Sequence, residues 1–147
     1  MSSSMSDKKT ELAKFSLVDY KFTEVLINLG VLGDEENLSV DFKPSGEYDP
    51  DSGIYKMNMK FSAIVENTER QIINVNCDAI FKFSNALTFE NVPEYFFTNS
   101  TAIIYPYLRA FISTLSLQAN YNAIVLPTLN LTALAGELKT NTVIVNE

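Results

Sequence analysis

The chain has 147 residues, a formal charge of −7, no histidine and a single cysteine, with 46% hydrophobic residues, which suits one domain able to bury roughly 68–70% of its unfolded surface. The acidic balance argues against nucleic acid or an anionic membrane surface as partner, because phosphate groups demand a basic footprint. The missing histidine removes the commonest general base and metal ligand, and a lone Cys77 forms no internal disulfide, as expected of a protein in a reducing cytosol.

Residues 1–9, "MSSSMSDKK", lack the apolar segment of a secretory signal, so residues 1–14 are expected to form a loosely ordered leader before a single domain over 15–140 and a short tail over 141–147. No apolar run reaches the ~18 residues of a membrane span, and direct membrane insertion is not expected. Residues 15–29, "FSLVDYKFTEVLINL", read as a strand. Val18, Tyr20, Phe22 and Leu26 share one parity and Phe15, Leu17 and Val25 the other, which predicts a bulge or a partly covered second face. "GVLGDEEN" is a connection with two apolar residues, Val31 and Leu32, in a Gly-flanked acidic setting. In "LSVDFK", Leu38, Val40 and Phe42 alternate with polar residues, whereas the prolines and glycines of "PSGEYDPDSG" predict a loop.

The clearest period-two alternation lies in residues 54–66 and 71–83. It predicts two half-buried antiparallel strands with Tyr55, Met57, Met59, Phe61, Ala63 and Val65 inward on the first. Ile73, Val75, Cys77, Ala79, Phe81 and Phe83 point inward on the second. The period then changes. "NVPEYFF" predicts a short helix with Pro93 in its first turn, and Asn99 or Ser100 is placed to cap a second helix running to Gln118 or Ala119. "NYNAIVLPTLN" reads as an extended linker, and "LTALAGELK" as a last short helix from Asn130. Four strands followed by helices give an α+β domain, an antiparallel sheet with its helices on one face.

The stretch "IIYPYLRAFISTL", residues 103–115, is broader in apolar surface than a helix lying on one sheet requires. Ile103, Ile104, Tyr107, Leu108, Phe111, Ile112 and Leu115 exceed the usual ~100° arc, and Tyr105, Arg109, Ser113 and Ser116 form its only polar line. Cover on a second side is most simply supplied by another copy of the chain. Pro106 marks a bend or a junction. Arg109 either pairs with a carboxylate or carbonyls across that interface or snorkels along the helix to solvent.

"AIFKFSNA", "IIYPYLRAFISTL" and "IVLPTLNLTAL" resemble, in order and spacing, the C-terminal half of SecB, the bacterial protein-export chaperone family. The carriers are Ile80-Phe81, Pro106-Tyr107-Leu108-Arg109, Ser113-Thr114 and Pro127 to Leu134. The likeness is specific over residues 71–134 and only collinear over 15–70. It implies a four-stranded antiparallel sheet with a long helix and a short C-terminal helix on one face, and a homotetramer built as a dimer of dimers. The long helices would meet between dimers through Ile104, Tyr107, Leu108, Arg109, Phe111, Ile112 and Leu115. It further implies an ATP-independent holdase with no cofactor that binds unfolded polypeptides, such as precursors for export, and passes them to the SecA motor.

The client-binding positions carried over are Val31, Leu32, Leu38, Leu126, Leu129, Leu131 and Leu134, and the motor-docking positions are Asp19 and, with a one-residue shift, Glu24. Asn74 replaces a glutamate that the family pattern expects, and the tail is short. A SecB-like chaperone dedicated to another client, such as a toxin–antitoxin pair, is therefore the alternative to export.

Other classes are a non-chaperone oligomeric scaffold, a small-ligand carrier using the sheet–helix crevice, and an enzyme. For the last, the acidic clusters Asp49/Asp51 and Asp34-Glu35-Glu36 are accounted for by turn chemistry and solvation. Cys77 sits at an inward strand position where a thiol acts as a small hydrophobe, and no phosphate loop or metal-ligand spacing is present.

Overall fold

The strands predicted from residues 54–66 and 71–83 form the centre of a five-stranded sheet. The computed structural model describes residues 13–33 and 35–146; residues 1–12 of the expected leader, Asp34 of the acidic triplet and Glu147 lie outside the described residues. The strands are β1 (Phe15–Ile27), β2 (Leu38–Asp49), β3 (Ile54–Val65), β4 (Gln71–Phe83) and β5 (Thr142–Ile144), in the order β1-β4-β3-β2-β5. The first four pair antiparallel and β5 adds in parallel to β2. Two helices, α1 (Glu94–Gln118) and α2 (Leu131–Thr140), cover one face.

Alternation decides the core. Every predicted inward residue of β3 and β4 is buried, because the other parity carries Lys56, Asn58, Lys60, Asn76 and Lys82. On β1 the expected bulge occurs twice: the pairing with β4 shifts between Leu17 and Asp19 and again between Phe22 and Glu24. Each extra residue flips the parity, so Phe15, Leu17, Tyr20, Phe22, Val25 and Ile27 all lie opposite the inward residues of β4, and Val18 is left exposed.

Three predictions are corrected. Residues 44–49 are strand, not loop, and only residues 50–53 turn. Pro44 fits because Gly46 N–H points outward to Asn141 O (3.2 Å), so two residues earlier the missing N–H of Pro44 faces the same open edge, where proline is tolerated. Gly46 fits because the Tyr55 ring crosses it. A Cβ there would lie 2.1 Å from the Tyr55 hydroxyl oxygen, which is itself 2.6 Å from Thr142 Oγ1. Gly46→Ala is expected to destabilise the domain by about 1–3 kcal/mol through overpacking, read as a lowered Tm; an unchanged Tm would show that the ring has room to move.

The second correction is that one helix replaces the predicted two. Phe97, Ile104, Leu108 and Ile112 keep one buried register throughout α1. Ser100 Oγ donates back to Phe97 O (3.3 Å) and Thr101 Oγ1 to Thr98 O (2.8 Å) instead of capping a new start. Pro93 is the residue just before α1, and the helix continues through Pro106, which is exposed, where water can serve the carbonyl its ring leaves unbonded. The third is that residues 142–144, within the segment read as a tail, supply β5. Among the described residues, no helix is long and apolar enough to cross a membrane.

Candidate functional site

The connection from β1 to β2 must cross from one edge of the sheet to the far side, since β4 and β3 lie between them. This crossover, residues 28–37, and the linker after α1, residues 119–130, come together to form the walls of a groove of about 510 Å³. Leu32, Gly33, Glu36 and Asn37 line one side, residues 122–127 the other, with Leu38 and Glu66 at its end.

Neither wall has regular secondary structure of its own beyond a single 3-10 turn (Leu29–Val31), so side-chain bonds hold each in place. The polar line read on α1 is what fixes the linker. Ser113 Oγ donates to Ile124 O (2.8 Å), Ile124 N–H donates to Ser116 Oγ (3.0 Å), and the Tyr105 hydroxyl donates to Pro127 O. Ser116 is fully buried and returns its own proton to Ile112 O (2.9 Å). Ser116→Ala would strand the Ile124 N–H away from water, and a loss of about 1–3 kcal/mol is expected, seen as a lowered Tm with faster amide exchange at Ile124. Normal protection at Ile124 would count against this anchoring.

The crossover is pinned by Arg70 on the β3–β4 hairpin. Its guanidinium donates to Val31 O (2.9 Å) and forms an ion pair with Glu36, whose other oxygen accepts from Gly33 N–H (2.7 Å). The bond from Arg70, then the one from Gly33, holds the Glu36 carboxyl below its ordinary value of 4.5. A carboxylate so depressed contributes its stabilisation above that value and loses it as the pH falls further. The clamp is therefore intact at neutral pH.

The seven residues expected to contact clients divide. Val31, Leu32, Leu38 and Leu126 join one apolar cluster with Phe61, Val65, Ile72, Leu108 and Ile112. Leu129 and Leu134 join the other, around Tyr55, Phe81 and Phe96, while Leu131 is half-buried at the start of α2. Leu32, Leu38 and Leu126 line the groove, yet Leu126 is only 2% exposed and Val31, Leu32 and Leu38 are half-buried. Among the large apolar residues of the linker the most exposed is Val125, at 71%, a position that no sequence pattern singles out.

Of the residues expected at an interface between copies, Ile104, Leu108 and Ile112 face the chain's own core. Tyr107 stacks on Tyr20 (4.5 Å between centroids) and Phe111 on Phe22 (4.4 Å). Tyr107 remains well exposed and Leu115 half-buried. Arg109 makes no ion pair within the described residues; its guanidinium lies 5.8 Å from the Tyr105 ring centroid.

Asp19 and Glu24 are exposed on β1, opposite Ile80 and Asn76. The face they share is not uniformly acidic: Asp19 lies 3.8 Å from Lys21, and Lys43 and Lys60 border the same depression as Glu24 and Asn74. Cys77 is buried, and burial, followed by the charge of Asp78, pushes its thiol up to about 11, so it stays protonated and unreactive. The sheet–helix crevice is filled by the rings of Tyr55, Phe81, Phe83, Phe96 and Phe97.

The groove runs between two tethered irregular segments, and its lining mixes Leu32, Leu38, Ile124, Val125 and Leu126 with Glu36, Asn37, Glu66 and Asn122. The family model described as preprotein translocase subunit SecB matches residues 34–140. No curated protein matches the sequence. Among solved structures, a SecB-like chaperone of Mycobacterium tuberculosis, in complex with a ChAD peptide from the HigA1 antitoxin, is similar over 84% of this chain and 92% of that one, with 15% identity and a TM-score of 0.56. A protein of unknown function from Streptococcus agalactiae is similar over 79% and 98% with 9% identity and a TM-score of 0.47. The match spans the three inner strands and both helices, and this chain belongs to the SecB family of chaperones.

Proposed function

We propose that this chaperone is an ATP-independent cytoplasmic holdase that binds unfolded polypeptide in the groove between the crossover and the linker. The observation that carries the reading is that two irregular walls, one with Leu32 and the other with Leu126, meet at one groove that Leu38 closes at its end. Apolar side chains of varied clients would pack there, while Glu36 and Glu66 at the rim favour cationic flanks. Val31, Leu129, Leu131 and Leu134 extend the surface beyond the groove.

The outward row of α1 that includes Tyr107, Phe111 and Leu115 is the surface on which copies associate into a homotetramer, with Arg109 on the adjoining polar line beside Tyr105. Charge on the outer sheet favours a dedicated client over delivery to SecA. Asn74 stands where the family pattern expects a glutamate, and lysines are interleaved with Asp19 and Glu24. The Mycobacterium relative, solved with an antitoxin peptide, supports that second reading of the client.

Mass by light scattering, combined with suppression of aggregation of a denatured protein without ATP, tests the proposal. A tetramer that suppresses aggregation is expected. A stable monomer would overturn the assembly, and a tetramer indifferent to unfolded protein would leave a scaffold.

A further inference from the structure

The residues proposed to meet a client are largely covered in the isolated chain: Val31 and Leu32, on the crossover itself, pack against the chain's own core, and Leu126 is buried in that core. The ends of the crossover are fixed by backbone: Asn28 N–H donates to Ile72 O (2.7 Å) and Glu66 N–H to Asn37 O (2.8 Å). Between these points, among the described residues, the side-chain bonds joining the crossover to the rest of the chain come from Arg70, to Val31 O and to Glu36. The contacts inside the segment, Leu32 N–H to Leu29 O, Glu36 N–H to Gly33 O and Gly33 N–H to Glu36 Oε1, shape it without tying it down. Val31 and Leu32 of this strap pack against a buried cluster that includes Ile72, Ile73 and Leu126.

We infer that Arg70 is a latch: it holds the crossover, one wall of the groove, with Val31 and Leu32 turned onto the chain's own core, and clients bind when it lets go. Resting on the holdase reading of the groove, the inference adds a positioning residue that touches no client. One guanidinium grips both halves of the strap, a carbonyl before Gly33 and a carboxylate after it, through the planar fork that suits Arg. Both ends of the strap stay attached on release, so it can swing out without unfolding the sheet. Arg70 and Glu36 are solvent-accessible, and such a pair is weak enough to open thermally.

The test uses the full-length protein and reduced, carboxamidomethylated lysozyme, a basic chain that stays unfolded. Arg70→Ala is expected to speed amide exchange over residues 29–37 and to bind the probe about five- to tenfold more tightly, as for a binding-competent state populated at about 10–20% in the wild type. Glu36→Gln, which keeps the bond to Val31 O, should fall between, and it carries the test if Arg70→Ala fails to fold. Faster exchange with unchanged or weaker binding would overturn the latch and leave the groove reading standing, as would unchanged exchange. If neither the wild type nor the freed variant binds the probe, the holdase reading falls and the latch with it.

Discussion

Phe96→Ala is expected to destabilise the domain by about 3–5 kcal/mol, the range for emptying a large, well-packed aromatic site. Phe96 has no exposed surface. Its ring sits 4.7 Å from Tyr55, 4.8 Å from Phe15, 4.9 Å from Phe83, 5.3 Å from Phe97 and 5.7 Å from Phe81, mostly edge-to-face. These partners come from β1, β3, β4 and α1, so the cavity could not close by moving one element. The edge-to-face geometry adds about 0.5–1.5 kcal/mol per pair beyond burial, although neighbours sharing one ring do not add independently. Urea unfolding at a fixed chain concentration measures the loss; fixing the concentration matters because association shifts apparent stability. Phe111→Ala, at a half-buried position stacked on Phe22, should cost clearly less. Equal losses, or a Phe96→Ala loss near 1 kcal/mol, would show that the aromatic cluster does not anchor the helix.

The alternating strands were legible because one face is covered and the other wet, so side chains on β3 and β4 report their own orientation. Residues 44–49 were misread because the same Pro and Gly that punctuate loops also serve at an open strand edge and beneath a crossing ring. Tyr55, which makes Gly46 necessary, is its neighbour only through the hairpin. Ser100 looked like a helix start for a related reason: a hydroxyl that caps and one that bonds back to its own helix are the same residue type. Only the buried register from Phe97 to Ile112 separates the two.

The candidate site was legible in part. Val31 and Leu32 stood out as apolar residues in an acidic, Gly-flanked connection, and the structure places Leu32 on the groove wall and Val31 with it against the same apolar cluster. Their half-buried state was not readable, since the core they pack against and the Glu36–Arg70 pair beside them, 34 residues apart, have no local pattern to announce them. Ser113 and Ser116 were visible as a polar line, but its meaning, anchoring the linker at Ile124, required the fold. On the same helix Ile104, Leu108 and Ile112 serve the chain's own core, and of the apolar residues read there Tyr107, Phe111 and Leu115 keep accessible surface.

Replacing Val31 and Leu32 together by Ser is expected to weaken binding of an unfolded polypeptide about 10- to 100-fold. Full burial of Val or Leu is worth about 1.5–3 kcal/mol each. Both side chains are already half-covered in the free chain, so roughly half of that, about 1.5–3 kcal/mol for the pair, is left to be gained against a client. The sheet and α1 do not depend on these residues: the second cluster retains Phe61, Val65, Ile72, Leu108 and Ile112. Assembly mass by light scattering should therefore be unchanged while titration of labelled, unfolded lysozyme shows the loss. Lost assembly would mean the crossover belongs to a subunit contact rather than to the groove. Adding Arg70→Ala to the double substitution separates strap from surface. If clients bind Val31 and Leu32 on the strap itself, its release should rescue little once those side chains are gone. Full recovery of affinity would instead place the client on the buried cluster they pack against, which includes Ile72, Ile73 and Leu126.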